Sequence, residues 1–189
     1  GRDVLALFRS GKVIRYRITF PEGLRVKEWL ARLQDAPYLD AKTTEMTRED
    51  LGQALELTAE LEGSLFPDTY QYILGDSDLD ILRLAVRKMK EVLGDEWSGR
   101  AMTVIATPFD ALILASMIEK ETGYGPDREK IASVFHNRLD TGMKLQSDPT
   151  VIFGLGADFD GDLKRSHLKS DTPYNTYTRT GLPPGPICS

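Results

Sequence analysis

The sequence predicts an α+β fold in two parts, and three observations carry that prediction. Apolar and polar residues alternate between Lys12 and Phe20, the period of a half-buried strand. Apolar residues then recur at helical spacing in several later segments, most of them with a start or stop signal. Finally, strand and helix patterns share the first part of the chain, whereas residues after 101 read as mainly helical and then loop-rich. Residues 1–62 are therefore expected to form a small α+β module and residues 63–189 a mainly helical second domain.

In the strand, Ile14, Tyr16, Ile18 and Phe20 occupy one face and Arg15, Arg17 and Thr19 the other. Pro21-Glu22-Gly23 turns the chain, and Val26, Trp29, Leu30 and Leu33 make a short amphipathic helix. Ile14, Ile18, Trp29, Leu30 and Leu33 are the expected core of this module. Thr47 and Asp50 have the spacing of a capping box before Leu51, Ala54 and Leu55. Residues 61–70, apolar and turn-rich without a period, read as a closely packed connection. Ser77 and Asp80 form another capping box, Ile81, Leu84, Ala85, Met89 and Val92 share a face, and Gly94 is the expected stop.

Thr107, Pro108 and Asp110 then open a helix that runs through Leu112, Ile113, Ser116 and Met117 to Glu121. Gly123, Gly125 and Pro126 end it. A following helix buries Ile131, Val134, Phe135 and Leu139 and stops at Gly142. From Met143 onward Gly, Pro, Asp, Asn, Thr and Tyr dominate, which predicts long loops suited to binding.

The 189 residues carry 24 basic and 29 acidic side chains, a net charge of −5 that argues against nucleic acid as a partner. The lone Cys188 cannot form an internal disulfide and reads as an incidental residue near a frayed terminus. No stretch is long and apolar enough to span a membrane, and no signal peptide is visible. The chain opens on Gly and stops just after Gly181-Leu182-Pro183-Pro184-Gly185-Pro186, so it reads as a piece cut at both ends.

Chemistry centres on Met117-Ile118-Glu119-Lys120-Glu121. Side chains two apart on a helix diverge by about 200°, so only one of the two carboxyls can serve a small site. Leu114, Met117, Ile118 and Glu121 follow the i, i+3, i+4, i+7 pattern, which makes Glu121 the one that continues the apolar face. A carboxyl there has a raised pKa and can act as a general acid. The residues alone also admit a bland reading, a solvated charge run. His136 and His167 lack the companions of a metal site, and Ser116 and Ser147 lack a nucleophile elbow. Gln146, Tyr174, Asn175 and Tyr177 have the amide and aromatic chemistry that binds sugars, although a plain polar loop fits them as well.

Six ordered stretches resemble the MltG/YceG family of endolytic murein transglycosylases. They are Leu61-Glu62-Gly63-x-Leu65-Phe66-Pro67-Asp68-Thr69-Tyr70, Glu119-Lys120-Glu121-Thr122, Val134-Phe135-x-Asn137-Arg138-Leu139, Met143-x-Leu145-Gln146-Ser147-Asp148-Pro149-Thr150-Val151, Tyr174-Asn175-Thr176-Tyr177 and Gly181-Leu182-Pro183-Pro184-Gly185. The resemblance implies a LysM-like domain over 1–62 and a lysozyme-like catalytic domain over 63–189, truncated at its C-terminal end. It implies Glu121 as the single catalytic acid and base, with Glu62, Gln146, Ser147, Asp148, Tyr174, Asn175 and Tyr177 binding substrate. It further implies cleavage of the MurNAc–GlcNAc bond with 1,6-anhydroMurNAc ends, no metal and no cofactor. The expected partners are peptidoglycan strands and the synthases that make them. The expected place is the periplasmic face of the cell membrane, reached through an N-terminal anchor outside this sequence. Two rivals remain at this point: a hydrolytic muramidase using Asp148 as second carboxylate, and a non-catalytic peptidoglycan-binding scaffold.

Overall fold

Residues 13–58, 60–100 and 104–189 are described by a computed structural model. Among them lie a two-stranded sheet and seven α-helices, an α+β arrangement. Lys12 and Ala101, where the sequence places element starts, fall outside the described residues.

Strand β1 (Tyr16–Thr19) pairs antiparallel with β2 (Thr69–Tyr72), Tyr16 opposite Tyr72 and Thr19 opposite Thr69. The alternation predicted for β1 holds toward its end, where Phe20 is buried, but Ile14 is 73% exposed because no partner strand reaches it. The strand β2 begins at the end of the stretch 61–70 read as a connection and runs two residues past it. Helix α1 (Val26–Gln34) buries Val26, Trp29 and Leu33, and the Trp29 indole stacks on Phe20 at 3.7 Å between ring centres. Helix α2 (Arg48–Ala54) starts with the Thr47–Asp50 capping box.

Helix α3 (Asp78–Ser98) has the Ser77–Asp80 box but runs past Gly94 to a cap at Gly99. Gly94 is no stop because its φ is not positive, and a lone interior glycine costs only about 1 kcal/mol. The buried stripe of α3 is Leu79, Ile81, Leu82, Ala85 and Val86, which leaves Leu84 outside it and 39% exposed. One continuous cluster therefore joins Phe20, Trp29 and Leu51 to Leu65, Tyr70, Tyr72 and Val86, running across position 62/63.

Helix α4 (Pro108–Glu121) begins with the Thr107–Asp110 box and Pro108, and packs on α5 (Gly125–Asp140). Gly142 follows α5 at φ +66, the left-handed backbone that favours glycine. Val134, expected inside, is 49% exposed, while its neighbour Phe135 is buried. The region read as loops contains two more helices, α6 (Asp148–Leu155) and α7 (Arg165–Lys169). A second cluster gathers Ile113, Leu114, Met117, Phe135, Leu145 and Ile187. Cys188 belongs to this buried end rather than to a frayed one; its Sγ lies 3.4 Å from the Ser116 carbonyl oxygen, and burial pushes its pKa up to about 12.

The two clusters meet at a junction. Ser189 and Gly23–Leu24 exchange main-chain hydrogen bonds of 2.6 and 2.9 Å, Lys120 donates to the Gly23 carbonyl, and the Arg25 guanidinium lies over the Phe153 ring. Gly63 (φ +77) sits so close under Pro186 that a Cβ there would lie 2.4 Å from the proline Cβ.

Candidate active site

The last turn of α4 separates its two carboxylates. Glu119 turns toward the Gly23 turn of the first cluster and pairs with Arg128 of α5 at 2.7 Å. Burial pushes its carboxyl above the ordinary value, opposed by the Arg128 charge. Glu121 turns the other way and accepts a 2.6 Å hydrogen bond from the Ser147 hydroxyl. It does not continue a buried face as the helical spacing predicts; it is exposed, because Thr122 leaves the helix in extended backbone and opens the final turn.

Ser147 precedes α6 in a clamped segment. The Leu145 carbonyl accepts from the Arg138 guanidinium, Gln146 N–H donates to the Thr176 carbonyl, and Ser147 N–H donates to Thr176 Oγ1 at 2.9 Å. Thr150 Oγ1 donates to the Ser147 carbonyl at 2.7 Å. Gln146 is thereby held at φ +54, a strained position for a residue with a side chain, and its own side chain is exposed. Strain of this kind persists only where the surroundings over-determine it, and it gathers at functional sites.

Asp148 opens α6 and accepts the Tyr177 phenol proton at 2.5 Å. Burial, the Asp148 hydrogen bond and the nearby Asp148 and Glu121 charges push the phenol up to about 12. Glu121, Ser147, Asp148 and Tyr177 thus form one group, with Gln146 at its edge. The remaining expected binders stand apart. Asn175 is wholly buried; its amide donates to the carbonyls of His167, Leu168 and Ser170 and accepts from Tyr177 N–H, so it braces the loop rather than facing a ligand. Tyr174 is half-buried against Phe153. Glu62 is buried at the start of α1, where it accepts from Val26 N–H at 2.9 Å and faces Arg48.

Arg138, Thr150 and Thr176 were not singled out from the sequence, yet they hold the segment that carries Ser147. The available signal was a charged residue between the core positions Phe135 and Leu139. At the junction of the two clusters lies a groove of about 450 Å³, walled by Arg25, Lys27, Lys120, Pro149, Ile152 and Phe159; neither Glu121 nor Gln146, Ser147, Asp148 or Tyr177 is among its walls. Among the described residues no three His, Cys, Asp or Glu side chains are grouped to hold a metal ion.

The model of the YceG-like family matches residues 1–189. This chain belongs to the YceG-like family. Within a broader comparison it is 35% identical over 165 residues to an endolytic murein transglycosylase of Bacillus subtilis, covering 86% of this chain. It is 31% identical over 184 residues to one of Streptococcus pneumoniae, covering 90%. It spans 46% of the former protein and 32% of the latter. The crystal structure of a yceG-like protein from Listeria monocytogenes superposes with a TM-score of 0.71 at 29% identity, over 99% of this chain and 67% of that one. The YceG-like segments quoted from the sequence lie in the clamp around Ser147, at the end of α4 and at the Gly63–Pro186 contact.

Proposed function

We propose that this chain is the glycan-cleaving part of an endolytic peptidoglycan lytic transglycosylase. The observation that carries the proposal is the extended identity to proteins of that name, joined to a single glutamate presented at an open helix end. Glu121 protonates the glycosidic oxygen between MurNAc and GlcNAc, and the bond from MurNAc C1 to that oxygen breaks, releasing the GlcNAc hydroxyl. The Glu121 carboxylate then takes the proton of the MurNAc C6 hydroxyl as O6 bonds to C1, which closes the 1,6-anhydro ring and regenerates the acid. One group serves both steps when its pKa lies near the working pH. Hydrolytic glycosidases need a second carboxylate for water or for a covalent intermediate. Asp148, which would be that carboxylate here, is occupied by Tyr177.

In this reading Gln146 and the Arg25–Phe159 groove hold the glycan, and Tyr177 sets one wall of the cleavage point. The module around β1 and α1 is LysM-like and the helical part lysozyme-like. The enzyme acts on the outer side of the cell membrane, anchored by a segment outside this sequence. There it works beside the synthases and ends the elongation of nascent strands.

The test is digestion of purified glycan strands by the complete ectodomain. New MurNAc ends should be lighter by one water than hydrolytic ends and refuse borohydride, with a broad spread of lengths early on. Glu121→Gln should lower the rate roughly 10²–10⁴-fold while the fold is kept. Reducible MurNAc ends as the main early product would establish the muramidase instead, and binding without new ends a scaffold.

A further inference from the structure

We infer that Ser147 is a positioning residue: its hydroxyl pins Oε1 of Glu121 and leaves Oε2 as the oxygen that gives and takes back the proton. The inference rests on the function proposed above and concerns how the same site is set.

The argument follows the protons. Ser147 is 1% exposed, so water does not compete for its hydroxyl, which donates to Glu121 Oε1 at 2.6 Å. Its main chain is fixed by two threonines that are themselves buried. Thr150 spends its one hydroxyl proton on the Ser147 carbonyl, at 2.7 Å. The proton shared by Thr150 Oγ1 and Thr176 Oγ1, 2.8 Å apart, therefore belongs to Thr176. Thr176 Oγ1 in turn accepts from Ser147 N–H. These three donors close a ring, and no member of it reaches Ser147 Oγ. The Ser147 hydroxyl proton is left with Glu121 as its acceptor, and the bond can run in only one direction when the carboxyl is ionised.

An acid whose Oε1 already accepts a hydrogen bond keeps its own proton on Oε2. The same oxygen then protonates the glycosidic bond and later receives the C6 hydroxyl proton, with no rotation of the carboxyl between the two steps. The charged groups that share the site with Glu121 are Asp148, which takes the Tyr177 phenol proton, and Arg138 of α5, whose charge bears on the same phenol; Glu119 and Lys120, on the same helix, turn toward the Gly23 turn instead. None of these donates to Glu121 Oε1 in place of Ser147. A serine bound to substrate would leave its hydroxyl toward the groove; this one is spent on the acid.

The experiment compares wild type, Ser147→Ala and Glu121→Gln in the full-length protein on purified glycan strands, measuring kcat and KM. Ser147→Ala should lower kcat roughly tenfold to hundredfold with KM within about twofold. Ser147→Cys, which restores a weak donor on the same skeleton, should recover part of the lost kcat. Unchanged kcat in Ser147→Ala would overturn the inference, as would a raised KM with kcat kept. If the alanine variant does not fold, Ser147→Cys carries the same readout, and a wild-type kcat in it is the refuting result. Failure of the underlying function looks different: Glu121→Gln would then cleave as well as wild type, or wild type would leave reducible ends.

Discussion

Burial gives Glu62 a role that its sequence neighbourhood does not announce. Its carboxylate stands where the first turn of α1 has unpaired N–H groups, and it takes the one from Val26. Burial raises its pKa above the ordinary value, while the Val26 N–H and Arg48 pull the other way. A folded-state value above the unfolded one means that the folded protein holds this proton more tightly. The stability tied to Glu62 is then fullest below the ordinary carboxyl range and is lost as pH rises through the raised value. Glu62→Gln keeps an acceptor for Val26 and removes the titration. Its melting temperature should therefore gain on wild type as pH rises from about 4 to about 7, in thermal melts at matched ionic strength. A constant difference across that range would remove burial as the cause. The parting of Glu119 and Glu121 at the end of α4 was legible from helical spacing, but the environment of Glu121 was not. Periodicity says which face a residue occupies; it does not say that the helix ends in extended backbone there. Ser147 and Asp148 were named from their motif, whereas the inward turn of Asn175 depends on the carbonyls of His167 and Leu168 in α7 and of Ser170 just past it, a helix the sequence reading did not contain.

Helix starts were readable because their chemistry is local. Thr47–Asp50, Ser77–Asp80 and Thr107–Asp110 each close a reciprocal pair of hydrogen bonds within four residues. What was missed is non-local or short. β2 has four residues and its partner lies some fifty positions earlier, so no window of sequence contains the reason for it. α6 carried its signal, Ser147 with Asp148 and Pro149 in the first turn, but so short a mainly apolar segment cannot be told from a buried loop by period alone. Glycines show the same limit. Gly94 and Gly142 look alike as helix stops, yet only Gly142 has a positive φ. Gly94→Ala should stabilise the protein by roughly 0.5–1 kcal/mol, since the site is helical and a Cβ would meet nothing within 4 Å. Urea unfolding would measure it, and a loss of stability would mean that α3 ends where the sequence suggests.

Across the whole molecule, the tightest of the contacts at the junction of the two clusters is Gly63 under Pro186. Residues 61–70 read as a closely packed connection, but nothing in the sequence names Pro186 as what Gly63 packs against, because the two are far apart in the chain. Gly63→Ala would meet both a left-handed backbone and a side chain at 2.4 Å. We expect it to cost roughly 2–4 kcal/mol. In hydrogen exchange the loss should spread to amides of both α1 and α4, not to one cluster alone. Protection unchanged in α4 would show the two clusters to be independent.

The hydrogen bonds joining Gly23 and Leu24 to Ser189 also impose an order of events on folding. Every residue of the first cluster has been synthesised once Val86 has left the ribosome, so β1, α1, α2 and β2 can collapse together at that stage. Their seam with the rest cannot close until the residues around Pro186 and Ser189 arrive, and the loop it closes is nearly as long as the described chain. Closing long loops costs entropy that grows only slowly with length but must be met before the contacts repay it. The Glu121–Ser147 pair lies closer in sequence, with α5 between its members, but the clamp on Ser147 also waits for Thr176. The candidate site and the seam between the two halves are thus both completed by the last part of the chain to be made.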